Sequence, residues 1–132
     1  MVGFNPNNEF RDTLLVDIEE RNLGGVILFG YNVNRPSQLE SLTSELQTSA
    51  ETPLFISIDQ EGGVIARLDE NNGYDETYTA YELGSEFNSE ETTRAQASEI
   101  AQWLSEGGIN LNLAPVVDLN IYPNSPAIGA YE

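Results

Sequence analysis

The sequence predicts an α/β fold in which parallel β-strands alternate with amphipathic helices. Two segments of strand length, the continuous apolar run "GVILFG" at 25–30 and the largely apolar "TPLFISID" at 52–59, are typical of buried strands in a parallel sheet. Helical periodicity lies before, between and after these runs. Because a strand, a helix and a second strand in one sheet join by a right-handed crossover, the alternation predicts a parallel sheet covered by helices.

The first two elements are a short strand and a helix. "MVGF" at the start of the chain is an apolar run that predicts the end of a buried strand. Over residues 8–22, Phe10, Leu14 and Ile18 recur every four residues and predict an amphipathic helix. The glycine pair at 24–25 predicts its C-terminal end.

A second helix and a long loop flank the third strand. The Arg35-Pro36 step predicts a helix start, and Leu39, Leu42 and Leu46 then share one helical face. After the strand, residues 60–88 form a polar connection that is unusually long for a compact domain. Loops of this length are typical of binding loops or lids.

The third helix and the fourth strand complete the pattern. Asn88 with Glu91 resembles a capping box and predicts the helix start. The predicted buried stripe consists of Ala97, Ile100, Ala101 and Leu104. "INLNLAPVVDLN" at 109–120 then predicts a strand in which Asn110 and Asn112 are interior polar groups on the side away from the helices.

The element count predicts part of a barrel. A complete (β/α)₈ TIM barrel takes about 250 residues, so residues 1–132 are expected to form a partial domain with about the first four strands. Both edges of such a half barrel would be exposed, and we expect the remainder of the barrel or self-association to cover them. A small, open, doubly wound sheet is compatible with the same order.

Composition excludes several classes of partner. The net charge is −17, and lysine, histidine and cysteine are absent. Nucleic acid is not expected, because phosphate binding needs clustered cations. No window approaches the roughly 20 apolar residues of a membrane span, so no membrane partner is expected. The start has no signal-peptide pattern, which favours the cytoplasm, and the acidic surface suggests a saline source.

One short segment carries the candidate site. In "FISIDQEGGVIARL" at 55–68, Asp59 ends the third strand and Arg67 follows eight residues later. Active sites of such barrels lie at the carboxyl ends of the strands, although a strand-end turn would also explain an aspartate followed by glycines. Asp118, at the end of the fourth strand, is a second candidate lining residue or else a loop contact.

The other acidic residues between positions 60 and 76 are predicted to have structural and not chemical roles. Glu61 is a possible lining residue, but we expect it to hold the loop by accepting backbone N–H bonds. The cluster at Asp69, Glu70, Asp75 and Glu76 lacks EF-hand spacing and predicts a solvated face. No metal is expected.

Three segments in register carry a family resemblance. They are "GGVILFGYNVNRPSQLESLTSELQ" at 24–47, "PLFISIDQEGGVIARL" at 53–68 and "GGINLNLAPVVDLNIYPNSPAIG" at 107–129. In order and spacing they resemble the N-terminal catalytic domain of glycoside hydrolase family 3. The "DQEGG" form resembles the bacterial β-N-acetylglucosaminidase (β-N-acetylhexosaminidase) branch.

The resemblance implies a TIM barrel that hydrolyses a carbohydrate with retention, without a cofactor. It implies that Asp59 and Arg67 bind the sugar in the −1 subsite. The implied substrates carry terminal N-acetylglucosamine, as in cell-wall muropeptides or chitooligosaccharides.

The family's chemical machinery is not in this chain. Members carry a Lys-His segment, an Asp-His acid/base pair and an aspartate nucleophile on later elements, and this chain has neither lysine nor histidine. We therefore expect no catalytic residue here, and an inactive amino-terminal part of a longer enzyme. The alternatives are a β-glucosidase or β-xylosidase of the same family, or a non-catalytic sugar-binding or self-assembling α/β module.

Overall fold

The sheet has four parallel strands, whose spatial order is the same as their order in the chain. The structure, a computed structural model, describes residues 1–5, 8–119 and 121, without the side chains of 8–10. The strands are β1 (Val2–Gly3), β2 (Gly25–Leu28), β3 (Phe55–Ile58) and β4 (Leu111–Asn112). A doubly wound sheet reverses its strand order at a switch point, and these four strands advance in one direction only. This order is that of a barrel wall.

Three helices connect the strands: α1 (Asn8–Arg21), α2 (Pro36–Thr48) and α3 (Glu90–Glu106). Pro36 stands in the first turn of α2, as predicted. The N-cap of α3 is Ser89, whose Oγ accepts a hydrogen bond from the Thr92 N–H at 3.2 Å. The prediction of Asn88 was therefore wrong by one residue, because Asn88 adopts a left-handed conformation with φ 43° that ends the preceding turn (Glu82–Phe87).

One hydrophobic core fills the space between sheet and helices. From the two central strands, Val26, Leu28, Ile56 and Ile58 are completely buried. The helices contribute Leu14, Ile18, Leu39, Leu46, Ile100 and Leu104 to the same core. The predicted helical faces are thus confirmed at these positions, and Phe10 lies outside the described side chains.

Two positions of the predicted stripe on α3 are exposed. Ala97 and Ala101 face solvent, whereas Ile100 and Leu104 are buried as predicted. The error has a topological cause, since both residues line an open pocket with Leu83 and Pro115 beside β4, which is the edge strand of the described sheet. The predicted exposed edge is therefore present here.

The two asparagines of the predicted fourth strand bond to the backbone of residues 54–60, in and around β3. Asn110 is exposed, which contradicts the prediction, and its Oδ1 accepts the Ile56 N–H at 2.8 Å while its Nδ2 donates to the Leu54 carbonyl at 2.8 Å. β4 itself ends at Asn112, well short of the predicted strand end.

None of the helices in the described ranges has the length and apolar content needed to cross a membrane.

Candidate functional site

The candidate site lies where β3 ends. Asp59 is the first residue after the strand, and Arg67 returns to it after a tight turn, with Nη2 at 3.4 Å from Asp59 Oδ2. The two side chains are 26% and 25% exposed, respectively. This separation is long for a hydrogen bond, so the contact is a loose ion pair that leaves binding capacity on both groups.

The guanidinium of Arg67 retains an unused donor in a buried position. A guanidinium carries five N–H donors, and Arg67 Nε is buried without a hydrogen-bond partner in the described part of the chain. Leaving a buried donor unpaired costs about 1–3 kcal/mol. The rest of the guanidinium is partly exposed, and its Nη2 contact with Asp59 is long, so the group keeps donor capacity toward the solvent side.

Gln60 holds the turn together, and sequence reasoning missed this residue. Its side chain is only 1% exposed. Its Oε1 accepts the N–H groups of Arg67 at 2.8 Å and Leu68 at 2.9 Å, and its Nε2 donates to the Leu68 carbonyl at 3.0 Å. The sequence feature that could have indicated this role is the position of Gln60 directly after Asp59 at the end of a buried strand. An amide buried at such a position needs several hydrogen-bond partners.

The glycines that follow form the predicted turn. Gly62 and Gly63 have positive φ values of 113° and 53°, which side chains with a Cβ rarely adopt. The Glu61 N–H donates to the Ile65 carbonyl at 2.9 Å, and the Ile65 N–H donates to the Gly62 carbonyl at 3.2 Å. A Cβ on Gly62 would lie 2.2 Å from the Tyr78 carbonyl oxygen, so this position requires glycine.

Glu61 lies beside the ion pair without closing the loop. Burial raises the pKa of its carboxyl, the negative charge of Asp59 raises it further, and the guanidinium of Arg67 lowers it. The prediction that Glu61 accepts backbone N–H bonds was wrong, because within the described ranges the Gln60 amide and the turn carbonyls take these donors. Its place as a possible lining residue stays a prediction.

Asp118 is not brought to this group by the described contacts. It is exposed and lies in the segment 113–119, which has neither helix nor strand, six residues beyond β4. Its role as a lining residue stays a prediction. The end of the third resemblance segment, from residue 122 onward, lies outside the described residues.

The acidic cluster after the turn is a solvated face. Glu70, Asp75 and Glu76 are exposed, and Asp69 Oδ1 accepts the Asn71 N–H at 2.8 Å in the short turn Glu70–Asn72. Over the part of the chain that the structure describes, no group of three or more Asp, Glu, His or Cys side chains could hold a metal ion.

Fold and site together define a class of protein. Sequentially ordered parallel strands, with a carboxylate and a guanidinium at the carboxyl edge, are typical of an enzyme barrel of the (β/α)₈ type. Residues 1–131 match the sequence profile described as the Glycosyl hydrolase family 3 N terminal domain. The chain therefore belongs to glycoside hydrolase family 3, as the motifs predicted.

The relatives agree with this assignment. The chain is 40% identical over 118 residues to Beta-hexosaminidase A of Pseudoalteromonas piscicida, covering 84% of this chain and 20% of that protein. It is similar to the solved glycoside hydrolase family 3 beta-N-acetylglucosaminidase from Paenibacillus sp. str. FPU-7, with a TM-score of 0.86 and 36% identity over 97% of this chain and 24% of that one.

A ligand-bound structure is also similar. NagZ from Neisseria gonorrhoeae, solved in complex with N-trifluoroacetyl-D-glucosamine, matches with a TM-score of 0.71 and 28% identity, covering 90% of this chain and 35% of that one. The chain thus spans about a fifth to a third of the length of these proteins. The predicted partial barrel of α/β class is confirmed by these neighbours.

Proposed function

We propose that the full-length protein is a retaining β-N-acetylhexosaminidase that removes terminal N-acetylglucosamine. In this proposal the 132 residues supply one wall of the −1 sugar subsite, with Asp59 and Arg67 as the binding residues. The observation that carries the proposal is the loose pair at the carboxyl end of β3, whose Asp59 and Arg67 atoms are 3.4 Å apart. The names of the similar proteins support the acetamido sugar as substrate.

The chemistry of the pair suits a sugar. Each sugar hydroxyl both donates and accepts, so neighbouring hydroxyls can donate to the Asp59 carboxylate while a ring substituent accepts from the partly exposed guanidinium of Arg67. Hydrogen bonds of this kind strengthen as the ring distorts toward the transition state. The pair would therefore contribute to both binding and rate.

The bond-breaking groups are proposed to lie outside these 132 residues. Retaining hydrolysis uses two carboxyl groups about 5–5.5 Å apart, one as acid/base and one as nucleophile. Asp59 and Glu61 project from a single strand end, and Arg67 already engages Asp59. We therefore assign neither carboxylate to the acid/base role or the nucleophile role.

Substrate profiling of the full-length protein tests the function. Here the full-length protein means the product of the longest open reading frame that contains this chain. We expect it to hydrolyse 4-nitrophenyl N-acetyl-β-D-glucosaminide and to leave the corresponding β-glucoside and β-xyloside nearly intact. Faster cleavage of either of these would instead support the same-family alternative. Sugar binding without turnover of any substrate would support the non-catalytic module.

A further inference from the structure

We propose that Gln60, anchored by Asn112, is a positioning residue that sets Arg67 against Asp59. The inference rests on the proposed function, because the pair that Gln60 aligns is the proposed sugar-binding pair. The sequence patterns assigned no role to Gln60 and predicted only an interior position for Asn112, and the names of the relatives assign a role to neither residue.

In the turn, the backbone of Arg67 is held from both sides. Gln60 Oε1 accepts the Arg67 N–H at 2.8 Å, and Asn72 Nδ2 donates to the Arg67 carbonyl at 2.8 Å. The Gln60 side chain makes two further bonds, to the N–H and the carbonyl of Leu68. Because Gln60 and Asn72 are both buried, the Arg67 backbone has little freedom to move relative to the end of β3.

On the other side, Asn112 fixes the peptide of Gln60. Its Oδ1 accepts the Gln60 N–H and its Nδ2 donates to the Gln60 carbonyl, each at 3.0 Å. The Leu113 N–H donates to the Ile58 carbonyl at 2.9 Å. Asp59 therefore lies between two peptides that β4 and its extension hold in place, and Gln60 links this fixed segment to Arg67.

The ion pair alone could not maintain this arrangement. A partly exposed pair at 3.4 Å is weak, whereas three hydrogen bonds from one buried amide form a strong local restraint. The relative placement of carboxylate and guanidinium thus depends on Gln60. Losing this amide should misplace Arg67 even though neither charged residue is changed.

A double-mutant cycle in the full-length protein tests the inference. Gln60→Met keeps the side-chain length and removes all three bonds, and we expect it to raise KM by at least about tenfold. Arg67→Ala should raise KM by a similar factor, and the double variant should be no worse than Arg67→Ala alone, because Gln60 acts through Arg67. Additive effects of the two changes would overturn the inference.

The matched control is Gln96→Met. Gln96, on α3, also has a buried side-chain amide. Its Oε1 accepts the Tyr78 N–H at 2.7 Å and its Nε2 donates to the Tyr78 carbonyl at 3.0 Å, so it too bonds to the backbone of the loop at 60–88. We expect this variant to lower the melting temperature while leaving KM unchanged. Gln60→Met behaving in the same way, with lower stability and unchanged KM, would show a merely structural role and overturn the inference.

A second variant covers a failure of Gln60→Met to fold. Asn112 is only half-buried, so Asn112→Leu removes the anchor at a tolerant position and should also raise KM, while an unchanged KM would overturn the inference. The unsubstituted protein separates the two proposals. Its failure to hydrolyse any glycoside would reject the proposed function, whereas normal hydrolysis with unaffected variants would reject only the positioning role.

Discussion

Arg67 Nη2 lies 3.4 Å from Asp59 Oδ2, although Arg67 follows Asp59 by eight positions across a double-glycine turn. Asp59 is fixed by the end of β3, and the return of Arg67 is fixed by the Gln60 amide. The pair is loose enough to bind a further polar group and is directed to the carboxyl edge of the sheet.

Arg67→Lys should behave as a severe change. Lysine is a point charge without the planar fork, so it cannot make the Nη2 contact with Asp59 and present further donors to a ligand in the same plane. We expect kcat/KM of the full-length protein to fall by about ten- to a hundredfold, the equivalent of about 1.5–3 kcal/mol for charged hydrogen bonds. Arg94→Lys, at an exposed helical ion pair, is the matched control and should show normal kinetics.

Glu61→Gln should preserve activity and change the pH dependence of stability. The raised pKa of Glu61 means that the folded state holds this proton more tightly than the unfolded chain. The Glu61 carboxyl therefore makes its full contribution to the free energy of unfolding below its ordinary pKa, and this contribution is lost as the pH rises through the raised pKa. The melting temperature of Glu61→Gln should exceed that of the unsubstituted protein at pH 7, and the difference should shrink near about pH 4.

A loss of turnover in Glu61→Gln would contradict the assignment of the acid/base and nucleophile to residues outside this chain. A stability difference between the two proteins that grows toward low pH would contradict the direction of the pKa change. Glu70→Gln, at an exposed position of the same loop, is the control for a simple change in net charge.

Gly62→Ala should destabilise the turn. The added Cβ would lie 2.2 Å from the Tyr78 carbonyl oxygen, and φ at this position is 113°. Strain of this kind costs about 1–3 kcal/mol, which thermal or urea unfolding would detect. Gly84→Ala provides the control, because nothing lies within 4 Å of its Cβ position, and an equal loss in both variants would show that the turn is not the cause.

Salt should stabilise the protein. A net charge of −17 with only five cationic side chains produces repulsion within the folded chain. Raising the ionic strength to about 1 M shortens the screening length to about 3 Å and removes most of this repulsion. We expect the melting temperature to rise with added sodium chloride, and an unchanged value would argue against salt adaptation.

The parts of the fold that sequence predicted are those set by local patterns. The buried strands around Val26 and Ile56 follow from apolar runs, and the faces of Leu39 and Leu46 follow from helical spacing. Asp59 could be placed because it directly follows such a run. These features need no knowledge of what packs against the element from elsewhere in the chain.

The incorrect predictions concern residues whose burial or bonding is determined by residues far away in the sequence. Ala97 and Ala101 are exposed because they line an open pocket at the edge of the described sheet, and the spacing of apolar residues alone cannot show that a neighbouring strand is missing. The role of Gln60 depends on the closure of a turn that brings Arg67 and Leu68 back to it. The sequence analysis expected the charged side chain of Glu61 to bond to the loop backbone, whereas the neutral side chain of Gln60 makes these hydrogen bonds.

The proposed sugar contact is tested most directly by Asp59→Asn in the full-length protein, assayed on 4-nitrophenyl N-acetyl-β-D-glucosaminide. The change keeps the shape of Asp59 and removes its charge, with Asp75→Asn at an exposed position as the control. We predict a fall in kcat/KM of about ten- to a hundredfold from the lost charged hydrogen bonds, with a nearly unchanged melting temperature. Unchanged kcat/KM in a folded Asp59→Asn protein would contradict the proposed role of Asp59.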